Sequence, residues 1–391
     1  MSIKAERLLI RAKKLTKKGE LEKAKEIYSS ILKTSPDNKV AKNELVAIKE
    51  AQEKTPTRIQ LDEVMKLYSS GLIEESLSAV NLIIQKHPNE PILFNISGAC
   101  YSEIGPIDSA ISNFKKAISL KPDYYEAHYN LAVVFQKNKQ IDEAFNSYEK
   151  AITIKHAYPQ AHNNIGMINL NKRELDSAVK SFEWAIAYNP NYVEAHNNLG
   201  AVFQELMLYE KAKQQYEKAL SINPKFAQAL NNLGATCEIF GLKEQALENY
   251  NKAIKLKEEL KDQGGLKELY ANYLNVLILA GKMEKAEKLV NKSLKLNKAA
   301  SNAKGLVADY RNLGNICLQK KDWSGAEKNY LEALAVNTSA DNKREMAEDN
   351  RNQYNLYLQK EDWGNAEKYA LKSFEIAEQI NDVLNVLADS R

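Results

Sequence analysis

Three histidines, His128, His162 and His196, stand 34 residues apart. Such a row invites a metal reading. Zinc, however, needs its nitrogens about 2.0 Å from one ion. Residues on separate helices packed about 8–10 Å apart cannot converge that closely in a row. A packing role is expected for them, with no metal and no cofactor. A longer column is made of asparagine. Asn130, Asn164, Asn198 and Asn232 keep the same spacing, and Asn272, Asn312 and Asn352 continue it at intervals of 40. Asparagine is a poor helix former, so seven in register call for a duty. Its amide both donates and accepts, and can pair with a peptide main chain. Asn163, Asn197 and Asn231 double the column one residue earlier. Further on Arg311 and Arg351 take that earlier place, while Asn275, Asn315 and Asn355 follow three residues after the column. Of the three cysteines, Cys100, Cys237 and Cys317, the last two fall where small apolar residues pack. No P-loop, dinucleotide turn, metalloprotease helix or nucleophile elbow is present, so no catalysis is expected.

The elements that carry these columns are repeats. Ala110, Ala144, Ala178 and Ala212 recur every 34 residues, as do Phe114, Tyr148, Phe182 and Tyr216, and Ala117, Ala151, Ala185 and Ala219. Gly98, Gly166 and Gly200 share the register, and Pro122, Pro190 and Pro224 close three of the units. Such a period marks a stack of helix–turn–helix hairpins. Small residues let two helices approach closely, and the aromatic fills the gap beside them. Proline opens the next helix, where its missing N–H is not needed. One hairpin cannot bury its apolar face alone, but a stack can.

The pattern resembles the tetratricopeptide repeat (TPR) family, which places Gly at position 8, Ala at 20, an aromatic at 24, Ala at 27 and Pro at 32. The resemblance implies an all-α solenoid, a right-handed superhelix of ten hairpins. Its first helices would line a concave face, with positions 2, 5, 6 and 9 directed into it. The asparagine column is position 6. It resembles the asparagine ladder of O-GlcNAc transferase, which holds extended polypeptide. That likeness makes Asn130 through Asn352, with their neighbours at positions 5 and 9, a peptide-binding groove. The alternative is that each asparagine bonds the adjacent helix and only spaces the stack.

Three stretches follow from the period. Residues 1–56 hold a TPR-like hairpin, in which Gly19, Ala24, Tyr28 and Pro36 fit the pattern, and an extra helix from about Asn38. They carry 14 Lys/Arg against 8 Asp/Glu. On a chain whose net charge is only +4 that excess reads as a solvated face. Residues 57–260 form the regular 34-residue array, which His156 and Glu258 enter in place of the closing proline. Residues 261–391 keep a 40-residue period in Ala286, Ala326 and Ala366, in Trp323 and Trp363, and in Arg311 and Arg351. Longer helices with the same hairpin logic are expected there, with register shifts near 38–57 and 258–266. Asp322 and Asp362 are expected helix caps. Tyr354 stands where Gly is expected, and Ala370 where the aromatic is, so their hairpin is expected to pack less regularly. The last stretch resembles the long repeats of Pins/LGN-type adaptors and kinesin light chain. Arg311, Asn315 and Asn352 resemble the first three positions of the carboxylate clamp of chaperone-adaptor TPR domains. The fourth place falls on Ala388.

The repeat read at Ala308–Arg311 reopens at Ala388–Arg391, so the chain is expected to stop within a unit, with any further domain beyond it. The basic start, Met1 to Lys18, never becomes a secretory leader, and no apolar run spans a membrane. A cytoplasmic protein is therefore expected. The function expected is that of a non-enzymatic scaffold binding extended segments of other proteins. No nucleic acid is expected in a groove dominated by neutral amides. The oligomeric state is left open. The rival reading is the targeting arm of a bacterial glycosyl- or sulfotransferase whose catalytic domain lies outside this chain.

Overall fold

The computed structural model describes residues 3–18, 20–54, 56–262 and 265–380. Every regular element among them is an α-helix. The chain divides into two compact units, Met1–Pro190 and Asn191–Arg391. In the first unit α1 (Ile3–Lys17) and α2 (Leu21–Thr34) form a hairpin, and α3 (Lys39–Lys54) follows without a partner of its own. Four hairpins come next: α4 (Arg58–Ser69) with α5 (Ile73–Lys86), α6 (Pro91–Ile104) with α7 (Ile107–Leu120), α8 (Tyr125–Lys137) with α9 (Ile141–Ile154), and α10 (Pro159–Asn171) with α11 (Leu175–Tyr188). The second unit holds five: α12 (Val193–Glu205) with α13 (Tyr209–Ile222), α14 (Ala227–Ile239) with α15 (Lys243–Glu259), α16 (Leu266–Leu279) with α17 (Met283–Ala299), α18 (Ala303–Gln319) with α19 (Trp323–Ser339), and α20 (Lys343–Gln359) with α21 (Trp363–Gln379). The described residues thus contain the ten hairpins and the extra helix that the period predicts. Gly19, Gly264 and the reopening at Ala388–Arg391 lie outside the described residues.

The repeat columns are the core. Ala178, Phe182 and Ala185 are fully buried, as are Ala212, Ala219 and, nearly so, Tyr216. The close approach at position 8 is visible in atoms. A Cβ on Gly200 would stand 2.6 Å from Cε1 of Tyr216, and one on Gly166 would stand 2.7 Å from Cε1 of Phe182. In the hairpin of Tyr354 and Ala370 the large residue has changed sides. Helices α20 and α21 still pack as extensively as α18 and α19. The expected irregularity shows at the seam itself: Tyr354 and Ala370 are only half-buried, where Gly314 and Tyr330 of the preceding hairpin are buried.

The change of period has a simple origin. A 34-residue repeat such as α12–α13 has helices of 13 and 14 residues. In α18 and α19 both helices have 17 residues. The loop to the next repeat shrinks from residues 223–226 to residues 340–342. Those loops no longer need proline: they bend at a left-handed residue, Lys261, Ser301 and Asp341. Asp322 caps α19 by accepting from the Gly325 N–H at 3.0 Å, and Asp362 caps α21 through the Asn365 N–H at 3.2 Å.

From α4–α5 onward the turn inside each hairpin also holds one residue at positive φ. Gly241 supplies it at φ 71°, but Met207 must adopt φ 58° with a side chain. That conformation costs a non-glycine residue about 1–2 kcal/mol. Glycine loses about 0.5–1 kcal/mol of that gain through its freer unfolded chain. Met207→Gly is therefore expected to stabilise the second unit by about 0.5–1 kcal/mol, seen as a higher urea midpoint. A lower midpoint would show that the exposed Met207 side chain does more than occupy a turn.

Candidate functional site

First helices of successive repeats touch along one face: α6 meets α8, α12 meets α14, and α14 meets α16. Second helices do not meet one another to the same extent. Within each unit the first helices therefore lie on the inside of the stack, and their positions 5, 6 and 9 share that face.

The asparagine column sits there half-buried. Its amides are used in a regular way. Asn130 donates through Nδ2 to Oδ1 of Asn95 at 3.0 Å, and Asn232 donates to Oδ1 of Asn197 at 3.0 Å. Asn272 donates to Oδ1 of Asn231 at 3.3 Å. Asn164 donates to the hydroxyls of Tyr129 at 3.3 Å and Tyr148 at 3.0 Å. Position 6 of one repeat thus reaches position 5 of the repeat before it. Each of these four ties two repeats together, the spacing duty that the alternative reading assigns to the column. An amide has two N–H groups and a carbonyl, so the tie does not exhaust it. The carbonyl oxygens of Asn130, Asn164, Asn232 and Asn272 accept nothing among the described residues, yet none is sealed from solvent. Asn198 accepts from the Nδ2 of Asn197 at 3.5 Å, and Asn163 is buried at position 5. Asn312 and Asn352 are half-buried, while Asn275, Asn315 and Asn355 are exposed.

Two members of this face were not visible as columns. Asn95 precedes the asparagine series, and Tyr129 stands where asparagine does in later repeats. The Tyr129 ring lies 4.9 Å from that of Tyr158 and 5.5 Å from that of Tyr148. Burial pushes the phenols of Tyr129 and Tyr148 up, so both stay neutral hydroxyls.

The three histidines of the column bond within the stack. His128 and His162 each place Nε2 2.9 Å from the carbonyl six residues earlier, of Pro122 and His156, which ties the inter-repeat loop to its helix. His196 is buried with Nδ1 2.8 Å from Oε1 of Gln215. Burial pulls the His162 imidazole down, which favours the neutral ring. The cysteines are buried and free, with thiols pushed up by burial.

The arginines are not where a ligand would need them. Arg311 donates through Nε to Oδ1 of Asp349 at 2.6 Å and through Nη1 to Oε2 of Glu345 at 2.7 Å. Its Nη2 donates to the Glu345 carbonyl at 2.9 Å. Burial opposes its charge, but the bonds to Asp349 and Glu345 hold the guanidinium above its ordinary range. Asp349 also accepts from Nδ2 of Asn337 at 2.6 Å, so both its oxygens are engaged. Arg351 pairs with Glu348 at 3.2 Å. A basic end to the groove is therefore corrected: acids of α20 neutralise both arginines, across the repeat for Arg311 and within the same helix for Arg351. The clamp does not assemble either. Asn315 accepts from the Tyr330 hydroxyl at 2.6 Å, Arg311 is engaged elsewhere, and Ala388 lies outside the described residues.

No helix among the described residues is long and apolar enough to cross a membrane. Among solved structures, MamA is 27% identical over 42% of this chain and 96% of its own, with a TM-score of 0.39. YrrB, titled "a TPR protein with an unusual peptide-binding site", is 22% identical over 46% of this chain and 93% of its own, with a TM-score of 0.40. The pilF protein of Pseudomonas aeruginosa is 19% identical over 53% and 91%, with a TM-score of 0.47. A comparison with curated proteins finds no match. Family models of the tetratricopeptide repeat match residues 125–157, 193–226 and 215–255, and a TPR repeat model matches residues 100–139 and 171–206. With glycine and aromatic facing each other in hairpin after hairpin, the chain is a tetratricopeptide repeat protein.

Proposed function

We propose that the chain is a non-catalytic scaffold whose first-helix faces bind extended segments of partner proteins through their main chain. Membership of the repeat family supports the coarse reading, a protein-interaction scaffold. The observation that carries the finer one is the half-used asparagine. In three repeats one N–H of the position-6 amide holds the neighbour and in the fourth Asn164 uses both, while in all four the carbonyl stays unengaged and open to solvent. A held amide is a pre-oriented one, so it loses little freedom when it meets a ligand N–H.

Helix layers repeat every 8–10 Å or so, and an extended chain rises about 3.3 Å per residue. Each repeat then spans about three ligand residues. Capped, neutral serine–threonine peptides of increasing length, titrated against the protein, test this. Affinity is expected to climb with each added group of three residues, and to change less than about threefold when the same residues are reordered. Affinity that is independent of length, or that tracks one side chain, would overturn main-chain recognition.

A further inference from the structure

The long repeats build the same polar cluster twice, with one difference. In the α19–α20 step Asp349 is buried, accepts from Asn337, and receives the guanidinium of Arg311 from α18. Forty residues earlier, Asp309 is also buried and accepts from Asn297 Nδ2 at 2.7 Å. The residue in the place of Arg311 is Ala271. Where the guanidinium would stand there is a cavity of about 80 Å³, lined by Ala271, Asn297, Ala308, Asp309 and Asn312 among others. Ala271 and Ala308 are exposed, so they mark its mouth, and they occupy positions 5 and 2 of the proposed binding face. Asn312 belongs to the asparagine column, and its side chain makes no hydrogen bond among the described residues.

The rest of the cluster fits a single incoming cation. Gly305 stands where the next repeat has Glu345, and a Cβ there would collide with the Asn297 amide. Asp309 is therefore the only carboxylate among the described residues that line the cavity. Lys267 lies at the rim and its charge is felt by Asp309, but it forms no ion pair with it. Burial pushes the Asp309 carboxyl up, against the pull of Asn297, Ser293 and Lys267. A desolvated carboxylate at the end of a cavity is a place where a charge-assisted bond gains most.

We propose that this cavity receives the guanidinium of an arginine side chain from a segment bound along the same face, as Arg311 meets Asp349 one repeat on. The proposal rests on the main-chain groove reading and adds to it one side-chain preference, at a defined repeat.

Two measurements on the full chain test it. The first needs no ligand. Ala271→Arg supplies the guanidinium internally, and is expected to raise the thermal midpoint. Asp309→Asn in that background is expected to remove the rise. No rise in Ala271→Arg, or a rise that persists without Asp309, would overturn the pocket. The second uses two capped nine-residue serine–threonine peptides, one with a central arginine and one with its uncharged isostere citrulline. The arginine peptide is expected to bind about tenfold more tightly, as one charged hydrogen bond implies. The preference is expected to vanish in Ala271→Arg, where the cavity is already filled. Equal binding of the two peptides by the wild-type chain would overturn the proposal and leave the groove standing. Binding of neither, with the Ala271→Arg rise intact, would support the pocket's chemistry and make the groove reading the one that fails.

Discussion

Replacing Arg311 with alanine is expected to destabilise the second unit by about 3–5 kcal/mol, because it strands a buried charge. The Asp349 side chain is only 1% exposed, and Arg311 is its cation at 2.6 Å. Water cannot take the place of the lost partner. Burial pushes the Asp349 carboxyl above its ordinary range even with Arg311 present, and removing the guanidinium pushes it further. The sign of the pH dependence follows. A carboxyl whose folded pKa is raised contributes stability that is fully present below its unfolded value, about 3.9, and is lost as pH rises through the folded value. The gap between wild type and Arg311→Ala is thus expected to be widest at neutral pH and to narrow toward pH 4. Asp349→Asn in the Arg311→Ala background should recover much of the loss at pH 7. Urea midpoints of the three proteins decide it. A double variant no more stable than the single one would show that Arg311 matters for packing and not for charge.

Tyr216→Ala is expected to cost a similar amount, about 3–5 kcal/mol. The ring is 1% exposed and lies against the glycine at position 8, while its hydroxyl donates to Oε1 of Gln204 at 3.2 Å. Truncation leaves a cavity between two helices that cannot close, since Gly200 offers no side chain to fill it. Tyr216→Phe removes only the hydrogen bond and should cost about 1 kcal/mol. Gly200→Ala should fall between them, at about 1–3 kcal/mol. The hairpin α8–α9 already carries Ala132 opposite Tyr148, so a ring can shift to admit one methyl. Thermal midpoints ranked otherwise, with Tyr216→Phe the worst, would mean that the hydroxyl and not the ring holds the hairpin.

The fold was legible because its core uses residue types that have few other uses. Ala110, Phe114 and Ala117 repeat where two helices must touch, and burial alone explains them. The left-handed turns were less visible, since Lys139, Arg173 and Met207 replace the glycine that would announce them. The candidate face was half legible. Asn130, Asn164, Asn232 and Asn272 stood out as a column, but what they bond did not. Their partners sit 16, 35 or 41 residues back, across a repeat boundary, and two of them are tyrosines. Arg311 was misread for a related reason. Asp349 and Glu345 are ordinary acids in sequence, and only the stacking of α20 on α18 and α19 brings them to the guanidinium. Columns show which residues share a face, while the charges that meet across repeats depend on an offset that no single column carries.

The shared duty of the asparagines also changes how the binding face must be tested. Changing Asn164, Asn198 and Asn232 to alanine removes the inter-repeat bonds of Asn164 and Asn232, about 1 kcal/mol each, along with any ligand contact. Altered binding and altered stability would then arrive together. Modifying the ligand avoids this. A neutral nine-residue peptide and the same peptide with alternate backbone nitrogens methylated have the same side chains and differ in their main-chain donors. Titrated against the unaltered protein by calorimetry, the unmodified peptide is expected to bind, and the methylated one to bind at least about tenfold more weakly, as the loss of several hydrogen bonds requires. Equal affinity for the two would contradict main-chain recognition by the asparagine face.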